Sequence, residues 1–139
     1  MAVDPKLKPA PGSDPVTQPF WDSVKAGALQ IQFCDACGKG VFYPRGICPH
    51  CFSTSLTWKH VSGRGKLHAF TIAYRHWHPA FQADVPYVVA LVELDEGVRL
   101  MSNLVGVEPD PQHIKIDMPL VISYETDANG TTLPKFKPA

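Results

Sequence analysis

Four cysteines carry the strongest chemical signal in this 139-residue sequence. Cys34 and Cys37 form one C-x2-C pair and Cys48 and Cys51 a second, with ten residues between the pairs. Each pair is a tight hook that presents two thiolates, and this separation lets the chain return and close a tetrahedron around one ion. Gly38 and Gly40 after the first hook permit the positive φ that such a knuckle needs, and Pro49 stiffens the second. Zinc is the commoner structural occupant of four thiolates; iron fits the same donors, so the spacing leaves both open. An all-thiolate site has no open position for water or substrate, which makes its expected role structural. Two disulfides would use the same residues, but no secretory leader is read ahead of them, and paired C-x2-C hooks in a reducing compartment serve metals. A thioredoxin-like redox pair would open a helix after a buried strand, whereas both pairs here lie in glycine-rich loop sequence. His50, between the last two cysteines, is read as a loop residue.

Elsewhere the inventory for catalysis is thin. His76-Trp77-His78 is the one concentrated group, and two histidines at i and i+2 can hold a metal or shuttle protons, yet a polar-aromatic loop of this kind more often binds something or faces solvent. Asp95-Glu96-Gly97 reads as a hairpin turn rather than an acid/base pair. There is no G-x-S-x-G elbow and no G-x-x-x-x-G-K-[ST] loop. The residues support a binding or assembly module better than an enzyme.

The elements that position these groups are mostly strands. Residues 1–16 form an expected extended arm rich in proline. Thr17 is the expected cap of a short helix, with Pro19 in its first turn, Phe20 and Val24 at helical spacing, Trp21 beside them and Gly27 as the interruption. Leu29, Ile31 and Phe33 alternate with glutamines as a half-buried strand leading into Cys34, and Val41–Tyr43 and Leu56–Val61 are further short strands. Three strands around a four-cysteine knuckle describe a rubredoxin-like zinc ribbon, a unit too small to hold a core alone, so that metal binding supplies most of its folding free energy. Beyond the Ser62-Gly63-Arg64-Gly65 bend, five strands are expected at Lys66–Trp77, Pro86–Leu94, Val98–Val105, Pro119–Glu125 and Thr131–Phe136. In the first, His68, Phe70, Ile72 and Tyr74 share one face, and Leu67, Ala69, Thr71 and Ala73 the other. Five antiparallel strands, with a break between the third and fourth, describe an OB-fold barrel. The expected architecture is mainly β: arm and helix over 1–28, ribbon over 29–61, barrel over 62–139.

Composition bounds the function. A hydrophobic content of 45% is enough for a packed core, and no run of 18 apolar residues is present to cross a bilayer. Thirteen basic residues balance thirteen acidic ones, which argues against a protein whose main business is neutralising phosphates. Ribbons and OB barrels do hold single-stranded nucleic acid, and Phe70, Tyr74 and Trp77 are available for stacking, but Lys59, Arg64, Lys66 and Arg75 cluster only loosely. The expected location is the cytoplasm.

The order of motifs is specific: Phe20-Trp21 on a helix, the two hooks, Ser62-Gly63-Arg64-Gly65, Pro79-Ala80-Phe81, Pro86-Tyr87-Val88-Val89-Ala90-Leu91-Val92-Glu93-Leu94, Asn103-Leu104-Val105-Gly106 and Leu133-Pro134-Lys135-Phe136. From roughly Val16 to Pro138 the chain resembles domain-of-unknown-function family 35, zinc-ribbon/OB-fold proteins related to acyl-CoA metabolism. The resemblance implies a non-catalytic subunit that pairs with a thiolase-fold enzyme, or is fused to a hydratase domain, and helps to seat a coenzyme A thioester while the partner supplies the catalytic residues. On that reading Arg64, His76, Trp77, His78 and Phe81 are candidates to face the thioester, Arg64 toward a coenzyme A phosphate. Phe20, Trp21, Leu133, Pro134, Lys135 and Phe136 are candidates for docking the partner. The alternatives are a single-stranded nucleic-acid binder and a free-standing acyl-CoA carrier.

Overall fold

A computed structural model describes residues 7–139; the first six residues of the expected arm lie outside the described residues. The first element is helix α1, Gln18–Lys25. Thr17, expected to cap it, makes no side-chain cap bond and is itself helical in backbone angles. Asp14 does that work instead: its carboxylate accepts the N–H groups of Val16 and Thr17, each at 2.9 Å, and the Thr17 N–H is the main cause holding that carboxyl below its ordinary pKa. Gly27, at φ 70°, ends the helix. Ser23 then ties α1 to the first strand, donating to the Phe20 carbonyl at 2.7 Å and accepting the Gln30 N–H at 3.0 Å.

Strands β1 (Gln30–Cys34), β2 (Gly40–Val41) and β3 (Leu56–His60) form an antiparallel sheet in the order β2-β1-β3. The expected strand at 41–43 stops at Val41. Beyond it a side chain replaces the ladder, because buried Gln32 donates to the Arg45 carbonyl and accepts the Arg45 N–H, both at 2.8 Å.

Strands β4 (Arg64–Ala73), β5 (Tyr87–Leu94), β6 (Arg99–Leu104), β7 (Pro119–Thr126) and β8 (Thr132–Pro138) close a barrel in the order β4-β5-β6-β8-β7. This is OB topology. The neighbours are not all antiparallel as expected: β6 and β8 run parallel and meet at the single register pair Leu104–Phe136. Helix α1 lies over this weak seam, where Ser102 Oγ also donates to the Pro134 carbonyl at 2.6 Å.

The faces of β4 also differ from a strict alternation. A register shift between Leu67 and Ala69 marks a bulge, so fully buried Leu67 shares its side with Phe70 and Ile72, which pack on the core. One inserted residue switches every later side chain to the other face. β4 ends at Ala73, and residues 74–77 belong to the following loop.

At the start of β4, a Cβ on Gly65 would run into the Glu93 carbonyl of β5. Gly63, at φ 73°, abuts Ile122 of β7 in the same way. The glycines in this bend allow three strands to converge. One core unites the parts: Phe20 and Val24 of α1 and Leu29 and Ile31 of the ribbon join Leu67, Val92, Leu120 and Phe136 of the barrel.

Candidate metal centre and barrel mouth

The two hooks bring four sulfurs together. Cys34 Sγ lies 3.5 Å from Cys51 Sγ, Cys37 Sγ lies 3.8 Å from Cys48 Sγ, and all four fall within 4.8 Å of one another. A tetrahedral ion with metal–sulfur bonds of about 2.3 Å requires sulfur–sulfur edges of about 3.8 Å, close to the two shorter separations, so the four donors are gathered for one ion. Cys34 and Cys48 are buried, and Cys37 and Cys51 are exposed. The sequence builds the hooks through backbone donors: the Cys37 N–H points at Cys34 Sγ at 3.5 Å and the His50 N–H at Cys48 Sγ at 3.4 Å. The Cys37 N–H, outweighing desolvation, holds the Cys34 thiol down to about 6. Cys51 goes the other way, to about 12, because the favourable Ser53 N–H is outweighed by the Cys34 sulfur, by desolvation and by the Cys37 and Cys48 sulfurs together. The His50 ring engages the Gly40 carbonyl oxygen at 3.4 Å, outside the donor set.

The other sequence candidates do not converge on one site. Arg64 opens β4, whereas His76, Trp77, His78 and Phe81 follow its end, so roughly 30 Å of strand separates them. Arg64 and the 76–81 loop therefore lie at opposite ends of β4. Within the loop, Trp77 is 99% exposed and His76 is exposed, while His78 accepts the Ala80 N–H at 3.1 Å and caps a short 3-10 turn, Pro79–Phe81. Phe81 alone of these lines a cavity of about 490 Å³ at the barrel mouth, formed with Tyr87, Asn103, Leu133 and Lys135.

Two of the docking candidates are core residues. Phe136 is fully buried at the β6–β8 seam and Phe20 is 5% exposed, so neither offers a surface, and Pro134 is buried too. Trp21, Leu133 and Lys135 remain half-buried around a second cavity of about 340 Å³ between α1 and the seam. Lys135 sits between the two cavities and donates to Asn103, whose own amide donates to the Val88 carbonyl at 2.9 Å; burial pushes its amine pKa down. As for stacking platforms, Phe70 packs on the core, while Lys59 covers the Phe33 ring and Lys66 pairs with Asp117. Sequence reasoning missed Asp84 and Asn103. Asp84 has no periodic or motif signal, and Asn103 stands in the Asn103-Leu104-Val105-Gly106 motif with no role read for its side chain, since each acts through a partner far away in the chain.

A cysteine-hooked ribbon sharing its core with a closed five-strand barrel defines the zinc-ribbon/OB-fold class. Family models agree on both parts: residues 21–57 match the rubredoxin-like zinc ribbon domain of ChsH2, and residues 58–125 its C-terminal OB-fold domain. The chain belongs to the DUF35 family. It is 33% identical over 111 residues to a DUF35 domain-containing scaffold protein of Methanocaldococcus jannaschii, covering 76% of this chain and 77% of that one. It is also 41% identical over 134 residues to a probable enoyl-CoA hydratase alpha subunit of Thermomonospora curvata, covering 96% of this chain but spanning only 40% of that relative's length. A solved structure described as the Ltp2-ChsH2(DUF35) aldolase superposes with a TM-score of 0.81 at 38% identity, covering 92% of this chain and 98% of the compared one. Among the described residues, no helix is long and apolar enough to cross a membrane.

Proposed function

We propose that this chain is a non-catalytic, zinc-holding subunit that seats against a thiolase-fold enzyme and helps it handle an acyl-CoA thioester in carbon–carbon bond cleavage or formation. The observation that carries the reading is the 38% identity to a chain covered almost end to end and described as part of an aldolase with a second component, Ltp2. Cys34, Cys37, Cys48 and Cys51 are the residues to hold the ion, and zinc is favoured over iron because the matched family model is a zinc ribbon. Bound there, the metal cross-links two loops and offers no open position for a reactant. The thiols are thereby committed, and His78 is spent on its own turn. The loop carrying Tyr74, Trp77 and Phe81 is the candidate contact with the thioester channel, since it projects apolar surface beside the barrel mouth.

A second reading is favoured by the 41% identity to a hydratase alpha subunit: the same ribbon and barrel would serve a hydratase instead. Affinity purification of the tagged chain from its host, with mass spectrometry and thioester assays of the recovered complex, separates the two. Recovery of a thiolase-fold protein whose activity falls without this chain supports the first reading. A hydratase-fold partner supports the second, and turnover of a thioester by the chain alone overturns both. Elemental analysis should find one equivalent of zinc per chain in a colourless protein; visible absorption from iron would overturn the metal assignment.

A further inference from the structure

Residues 7–13 of the N-terminal arm lie across the barrel mouth. Between Leu7 and Ser13 it has no helix or strand, yet it is held at several points. Lys8 Nζ lies 2.6 Å from the Asp84 carboxylate and 5.4 Å from the centre of the Phe81 ring, and the Asn129 amide donates to the Lys8 carbonyl at 3.3 Å. Lys8, Pro9 and Pro11 line the larger cavity and Gly12 the smaller, so the arm runs from one to the other. Asp84 and Phe81 belong to the β4–β5 loop and Asn129 to the β7–β8 turn. These two connections flank the ligand-binding face of OB barrels in general.

Charge and conformation suit the pairing. Apart from the arm itself, the larger cavity is lined by Asp84, Glu125 and Asp127 against Lys135 alone, an acidic balance that favours a lysine-bearing visitor. A segment with prolines at 9 and 11 is already extended, so docking costs it little conformational freedom. The anchoring ion pair is itself half exposed, 38% for Lys8 and 40% for Asp84, and such pairs are screened and easily opened.

We propose that the barrel mouth is a docking groove for an extended segment carrying prolines and a lysine, that residues 7–13 occupy it in cis, and that this occupancy is exchangeable. Anything else that reaches the mouth competes with the arm. The inference stands independently of the thiolase or hydratase reading, because its test uses the isolated full-length chain with no thioester and no partner.

The test is a reciprocal charge swap. ¹⁵N relaxation should show residues 7–13 ordered in the wild-type chain and mobile in Lys8→Glu, with the order restored in the Lys8→Glu/Asp84→Lys double variant. A fluorescein-labelled peptide of residues 1–16, titrated by anisotropy, should bind Lys8→Glu chains about three- to tenfold more tightly than wild type, whose own arm competes. The same peptide should bind Asp84→Lys chains poorly, and a peptide carrying Lys8→Glu should bind them well. Unchanged thermal midpoints show that these half-exposed substitutions leave the fold intact. Arm dynamics indifferent to Lys8→Glu, peptide binding indifferent to the charge at 84, or no saturable binding to any variant would each overturn the proposal.

Discussion

The hydroxyl of Tyr124 stands on β7 yet accepts the Leu29 N–H at 2.9 Å, so the barrel satisfies a backbone donor at the entrance to the ribbon. Burial raises the phenol pKa from 10.0, against the opposing pull of that N–H. Tyr124→Phe orphans the donor, and an expected loss of about 1–2 kcal/mol should appear in denaturant unfolding. The pH dependence has a definite sign. Because the folded state prefers the protonated phenol, its contribution is complete below the unfolded value near 10 and fades as pH rises through the folded one, so the gap between wild type and Tyr124→Phe should narrow in alkali. A gap that widens there would contradict the burial.

At the scale of elements, the bend before β4 and the helix over the seam carry the sharpest tests. Gly65→Ala drives a methyl into the Glu93 carbonyl, which is backbone and cannot swing aside, and should cost about 1–3 kcal/mol in unfolding free energy. Phe20→Ala empties part of the core and should cost about 3–5 kcal/mol, whereas Trp21→Ala, on the half-buried side, should cost far less. Equal losses would mean that Trp21 is also core. These neighbours show what was legible in the sequence. The helix, the eight strand locations and the four sulfurs were readable because each has a local signature of period, turn or spacing. The cap falls to Asp14 rather than Thr17 because the Asp14-Pro15 pair, beginning three residues earlier, starts the turning chain. The β4 faces depart from the expected alternation past Leu67 because a bulge leaves no mark in an alternating pattern. The burial of the docking candidates Phe20 and Phe136 has no local signature, because burial depends on what lies opposite, and for both of them that is a seam between strands far apart in the sequence.

Across the whole molecule, helix, barrel and the start of β1 share one hydrophobic cluster, while Cys34 and Cys48 pack with Val41 in a second; β1 runs from Ile31 in the first to Cys34 in the second, so the metal site should be coupled to more than its own loops. Stripping the metal with a strong chelator should lower the midpoint of a single calorimetric transition; two separated transitions, with the barrel's unmoved, would show that the ribbon melts alone. The open flank of the same molecule reports on assembly. Trp77 is 99% exposed while Trp21 and Trp58 are partly sheltered, so its indole emits from bulk water and a soluble quencher should reach it first. A subunit docking over the 74–86 loop would shift that emission to the blue and shield it from iodide, giving the protein a built-in optical gauge of association that needs no label; an unaltered spectrum in the assembled complex would mean that this loop stays in solvent.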